Sequence, residues 1–132
     1  MITLDTSGVV ALLHTRERHH QRAREALADL QEPTVIPAPV LSEMTYVLAL
    51  RLGSDAVLAL LEGLEQGESF LDCCDADLPR VRELMVRYAD ADLGFADACV
   101  VACAERNGGK VFSFDLRDFG PIAAEGLITI VP

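Results

Sequence analysis

Short apolar runs alternate along this chain with longer stretches of helical apolar spacing, and that alternation leaves few architectures open. The runs Ile2–Leu4, 34–36, 111–114 and 127–131 read as strands, with a weaker one at 70–71. Between them, residues 8–14, 17–30, 40–52, 54–65, about 75–88 and 95–106 read as helices. In the third helix the apolar residues fall at 40, 41, 44, 47 and 48. Pro37 and Pro39 close the second strand, Gly53 ends the third helix, and Ser54 is positioned to cap the next. Asp75 or Asp77 opens the helix to 88, and Asn107-Gly108-Gly109 ends the helix over 95–106. Strands separated by helices pair in parallel and need cover on both faces, so the expected fold class is α/β, a central parallel β-sheet flanked by helices. A length of 132 residues fits one domain, 1–132. In open parallel sheets ligands sit outside the carboxyl ends of the strands, which is where chemistry is expected.

Four carboxylates stand out because they are isolated. Asp5 is the only charged residue in positions 1–13. Glu43 is the only charge between Val35 and Leu50, and Asp97 the only one between Leu93 and Ala104. Asp115 follows the apolar run Val111-Phe112-Ser113-Phe114. A lone carboxylate among apolar residues is expected to be buried, and an unpaired buried one is costly. Topology offers a common explanation. Asp5 and Asp115 end strands, while Glu43 and Asp97 lie early in helices that begin at the same carboxyl edge. Carboxylates gathered there repel one another, and a hard divalent cation removes that repulsion. Each also has a local explanation, except Glu43: Asp5 as a helix cap, Asp97 as a complement to a helix dipole, Asp115 as a turn former.

The formal net charge of −10 suits solubility, a bound cation or a basic partner, and is awkward for a nucleic-acid enzyme. The basic residues are ten Arg and one Lys, and Arg16, Arg18, Arg22 and Arg24 fall in one stretch with His19 and His20. Interleaved with Glu17 and Glu25, they read either as a solvated helix face or as a local phosphate-contacting patch. Cys73, Cys74, Cys99 and Cys103 lack zinc-site spacing and read as core thiols. No run is long enough to span a bilayer, and the N-terminus lacks a basic leader, so a cytoplasmic protein that avoids the membrane is expected.

Four segments carry a family resemblance: LDTSGVVALL, PVLSEMTYVL, YADADLGFADACVVACAE and KVFSFDLRDF. In this order, over almost the whole chain, they resemble the PIN-domain nucleases, and within them the VapC-type toxins of toxin–antitoxin pairs. The resemblance implies a PIN-like three-layer fold and metal-dependent cleavage of RNA phosphodiesters, leaving 5′-phosphate and 3′-hydroxyl ends. It places the family's acids on Asp5, Glu43, Asp97 and Asp115 as catalytic and metal-binding residues. It assigns supporting places to Thr6, Ser7 and Ser113, and to Asp90 or Asp92 upstream of the third acid. It implies one or two Mg²⁺ ions, with Mn²⁺ able to substitute, and in-line attack by a metal-activated water. Asp5 and Asp97 are the foremost expected ligands. Asp115 would complete the cage, and Glu43 would orient a water or serve a second ion. An RNA substrate, a cognate antitoxin protein and a homodimer are the partners implied.

Two other classes also fit acids at a sheet edge. A receiver-type phosphoacceptor module needs paired acids near the first strand and a later Lys at the site. Asp5 has no acidic neighbour, and Lys110 begins a strand, away from that edge. A PIN fold kept as an RNA-binding or scaffold module would not need all four acids.

Overall fold

The computed structural model describes residues 1–132. Five strands, β1 (Ile2–Leu4), β2 (Thr34–Pro37), β3 (Phe70–Asp72), β4 (Lys110–Phe112) and β5 (Thr129–Val131), form one sheet in the order β3-β2-β1-β4-β5. Every pairing is parallel, with Ile2 opposite both Thr34 and Lys110. Seven helices link them: α1 (Thr6–Leu13), α2 (His20–Leu30), α3 (Ala38–Leu52), α4 (Ser54–Glu65), α5 (Leu78–Arg87), α6 (Phe95–Arg106) and α7 (Leu116–Ala124). The chain winds from β1 outward through β2 to β3, then returns to the other side of β1 for β4 and β5. With the right-handed crossovers that βαβ units take, the two directions of travel place helices on opposite faces. The central parallel sheet flanked by helices is therefore as expected. A receiver-type sheet has the order 2-1-3-4-5, so this order removes that alternative.

Burial follows position. Ile2, Thr3 and Leu4 are all buried, as a central strand covered on both faces requires. Helix α6 is buried continuously from Ala98 to Ala104. Its small residues, Ala, Cys and Val, let it pack against β1, β2, β4, α3 and α5. An all-round apolar helix of this kind is a core element, and it fixes Asp97 in its first turn rigidly.

Several boundaries differ from the sequence reading. Helix α3 starts at Ala38, because Pro39 sits in its first turn, where a missing N–H costs nothing. Ser54 begins α4 without a side-chain cap. Residues 15–19 form turns before α2, and Asp75–Asp77 and Ala89–Ala91 are single 3₁₀ turns. Helix α7 has no counterpart in the sequence reading; it forms although Gly120 and Pro121, both poor helix formers, lie within it. Cys74, Cys99 and Cys103 are buried, and Cys73 is exposed. No helix is long and apolar enough to cross a membrane.

Candidate active site

The strand order reverses between β1 and β4, and in parallel sheets that switch point opens a crevice at the carboxyl edge. Asp5 leaves β1 there and caps α1, its carboxylate accepting from Ser7 N at 3.3 Å. Asp5 Oδ2 also accepts from Ser7 Oγ and from Ser113 Oγ, each at 2.9 Å. The two hydroxyl oxygens in turn accept backbone donors, Phe114 N on Ser7 and Asp115 N on Ser113, each at 3.0 Å. The two hydroxyls also lie 3.0 Å from each other, and this network locks α1 to the end of β4. Gly8 makes the approach possible. A Cβ there would strike the Phe112 carbonyl and lie 2.6 Å from its ring Cδ1.

Asp115 caps α7, accepting from Asp118 N at 3.1 Å. Thr6 Oγ1 donates to Glu43 Oε2 at 3.2 Å, tying α1 to α3. Asp5, Glu43, Asp97 and Asp115 all line one cleft of about 440 Å³. The structure thus brings the four isolated acids together. Burial pushes the Asp5 carboxyl above its ordinary range, against the pull of its Ser7 and Ser113 hydrogen bonds. Asp97 is pushed up to about 7, first by burial, then by the charges of Asp5, Asp118 and Glu43. The N-terminus of α6 favours a negative charge, so this rise reports burial and crowding that the helix dipole does not offset.

Other placements correct the sequence reading. Glu43 is exposed rather than buried, because α3 turns Ser42, Glu43 and Tyr46 outward; a stretch without charges need not be a buried one. Asp90 and Asp92 are exposed on and beside a 3₁₀ turn and do not line the cleft. Of the four arginines, Arg18 lines the cleft and the Arg22 guanidinium lies 6.0 Å from the Phe114 ring centre. Arg16 is exposed outside the cleft, and Arg24 lies beside Leu12 and Leu27. They are not one continuous patch.

Residues the sequence reading missed also reach the cleft. Asp118 was hidden with α7. Arg51 was not, since Glu43, Val47 and Arg51 follow at helical spacing on one face, and all three line the cleft. Together the lining holds six carboxylates and two guanidiniums, an excess of four negative charges when all are ionised. Such an all-oxygen donor set suits a hard divalent cation.

A second cluster lies elsewhere. Ligand atoms of Asp72, Cys74 and Asp77 are within 4.8 Å of one another, close enough to hold a metal ion. Arg106 already occupies both carboxylates, at 2.9 Å from Asp72 and at 2.9 and 2.8 Å from Asp77. Its guanidinium holds Asp72 below the usual carboxylate range, and burial pushes the Cys74 thiol up. A neutral thiol beside paired carboxylates is a poor ligand set, so the cleft is the better cation site.

Residues 2–124 match the family model described as PIN domain. Ribonuclease VapC26 of Mycobacterium tuberculosis is 30% identical over 134 aligned positions, which cover 98% of each chain. The crystal structure of Mycobacterium tuberculosis VapC20, a sarcin-ricin loop cleaving toxin, superposes with a TM-score of 0.83 at 25% identity over the full length of both chains. The FitAcB structure from Neisseria gonorrhoeae shares the fold, with a TM-score of 0.65 at 22% identity, over 100% of this chain and 97% of that one.

Proposed function

Because the chain belongs to the PIN-domain family, related within it to the VapC-type toxin ribonucleases, we propose that it is a divalent-metal-dependent endoribonuclease and the toxin of a toxin–antitoxin pair. One observation carries the reading: the isolated acids line a single cleft, where burial and then the charges of its neighbours hold Asp97 up to about 7. A site that stresses its own carboxylates is matched to a cation. Asp5 and Asp97 would hold Mg²⁺, or Mn²⁺ in its place, with Asp115 and Asp118 closing the cage. When bound, the ion supplies a Lewis acid that makes water a nucleophile near neutral pH and offsets charge on the phosphoryl oxygens.

The chain's own residues do the rest. Ser7 and Ser113 hold the Asp5 carboxylate in one orientation. Glu43, exposed and held by Thr6, is free to accept a proton from water entering the cleft. Arg18 and Arg51 stand on the cleft wall to meet the phosphates beside the scissile bond. A cognate antitoxin, with charge opposite to this acidic chain, and a homodimer are the partners that follow from this reading. The exposed apolar face of α5, Leu78, Met85 and Val86 with Phe95 nearby, supports an association of copies.

The test is sequencing of RNA ends after controlled expression, with purified protein then assayed on total RNA and on a sarcin-ricin loop oligonucleotide, the target that VapC20 cleaves. New 5′-phosphate ends that need Mg²⁺ or Mn²⁺ and vanish in Asp5→Asn and Asp97→Asn are expected. RNA binding with no cleavage under any divalent ion would favour a non-catalytic binding module instead.

A further inference from the structure

The cleft holds one feature that metal chemistry leaves unused. His19 and Phe114 line it beside the acids, and their rings are stacked, with centres 4.4 Å apart and planes 8° from parallel. Phe114 is the only Phe, Tyr or Trp in the lining. It lies between Ser113 and Asp115, and its N–H is held by Ser7, so its ring is referenced directly to the acids. Behind it the Phe112 ring meets it edge-on at 6.0 Å. Around the stack are cations: Arg18 Nε donates to His19 Nε2 at 3.1 Å, and the Arg22 guanidinium lies 6.0 Å from the Phe114 ring centre. Neither arginine forms an ion pair with an acid. The Glu17 carboxylate accepts from His19 N, which fixes the turn that carries the imidazole.

A planar stack with Arg18 at the His19 ring and Arg22 over the Phe114 ring, neither held by an acid, is a combination that takes an unpaired base on its His19 side and a phosphate beside it. Resting on the ribonuclease reading above, we propose that His19 and Phe114 form a stacking platform for one unpaired RNA base next to the scissile phosphate, with Arg18 and Arg22 holding its backbone. The platform selects single-stranded or flipped-out nucleotides. A base inside a duplex keeps both faces covered by its neighbours and has none to offer.

The probe is a single-stranded RNA 12-mer carrying one 2-aminopurine, compared with its duplex, in the Asp97→Asn background so that binding is read without cleavage. Aminopurine fluorescence is expected to quench on binding the single strand. His19→Ala is expected to weaken single-strand binding about tenfold and abolish the quench, while His19→Phe restores both. Duplex binding should be unchanged by either. Phe114→Leu repeats the test from the other ring, with circular dichroism melts showing that the fold is kept. Equal single-strand affinity and quench in His19→Ala, His19→Phe and the parent overturns the platform. Absence of single-strand binding by the parent also overturns it. Cleavage is measured separately in the Asp97-containing protein. Quenching with no cleavage leaves the platform standing and removes the nuclease; cleavage that His19→Ala leaves unchanged removes the platform alone.

Discussion

Asp97→Asn tests whether burial and the neighbouring acids penalise a charge at this position in the metal-free protein. The Asp97 carboxyl rises from 3.8 to about 7 through burial and then through Asp5, Asp118 and Glu43. Between those values the folded chain binds more protons than the unfolded chain. Stability from this group is therefore fully present below about pH 4 and is lost as pH rises through about 7. A gap of that size corresponds to about 4 kcal/mol. Asp97 keeps part of its surface in the solvated cleft, so roughly 2 kcal/mol is the expected effect. Asp5, also raised by burial, adds in the same direction. Glu32, Asp72 and Glu125 are lowered by their basic partners, so their contributions are lost only at more acid pH. Asparagine mimics the neutral acid and keeps a donor for Asp118. The assay is a thermal melt in EDTA from pH 4.5 to 8. The native chain should lose Tm across that range, and Asp97→Asn should flatten the profile and melt roughly 6–10 °C higher at pH 8. Identical pH profiles for the two proteins would refute that penalty, and with it the main electrostatic argument for a cation.

Mg²⁺ or Mn²⁺ at millimolar levels should raise Tm through binding to the folded cluster, and Asp5→Asn should remove most of that gain. Exposed Asp75 is the control for this measurement; Asp77 is not, because it is buried and paired with Arg106. Glu43→Gln should leave stability within about 0.5 kcal/mol of the native chain, as befits an exposed residue, while cleavage drops steeply; full cleavage by this variant would free Glu43 of any role. Gly8→Ala should destabilise by about 1–3 kcal/mol in urea unfolding despite the better helix former, because its Cβ meets Phe112.

How far the site could be read from sequence depended on which physical property each residue expressed locally. Asp5 and Asp115 were legible because a charge ending an apolar strand marks the carboxyl edge whatever the tertiary structure does. Both also cap helices, Asp5 as its local explanation held and Asp115 where a turn was expected, and both line the cleft from those positions. Asp97 was legible because its helix is apolar on every side. Glu43 was found by its isolation, but the inference that it is buried failed: neutral Ser42 and exposed Tyr46 on α3 carry no charge and yet face solvent. Helix α7 was illegible because Gly120 and Pro121 oppose a helix locally. Burial of Phe119 and Ile122 and the Asp115 cap outweigh them, and Asp118 came into view only with that helix. The His19–Phe114 stack joins residues 95 positions apart, and no local pattern announces such a pair.

Taken as a total, a net charge of −10 is awkward for an RNA substrate, and the structure changes the weight of that number. Four of the eleven basic side chains are held in ion pairs: Arg80 with Glu83 and Glu105, Arg87 with Glu125, Arg106 with Asp72 and Asp77, and Lys110 with Glu32. Arg16, Arg18, Arg22, Arg24, Arg51, Arg82 and Arg117 form no such pair, and of these Arg18 and Arg51 line the cleft itself. What a polyanion meets is set by these free guanidiniums and by whatever cation the acids hold, not by the total. Salt dependence separates the two views. On a single strand, each arginine that neutralises one phosphate steepens the fall of log K with log salt by about 0.7, so Arg18→Gln with Arg51→Gln should flatten that slope by about 1.4. The measurement is fluorescence anisotropy of a labelled single-stranded RNA in the Asp97→Asn background, so that binding is read without cleavage, titrated with KCl. Arg80→Gln, which makes the chain more acidic at a residue already paired with Glu105, should leave the slope unchanged. If Arg80→Gln and the cleft pair alter binding in proportion to charge removed, the overall charge governs association, and the local reading of the cleft arginines is wrong.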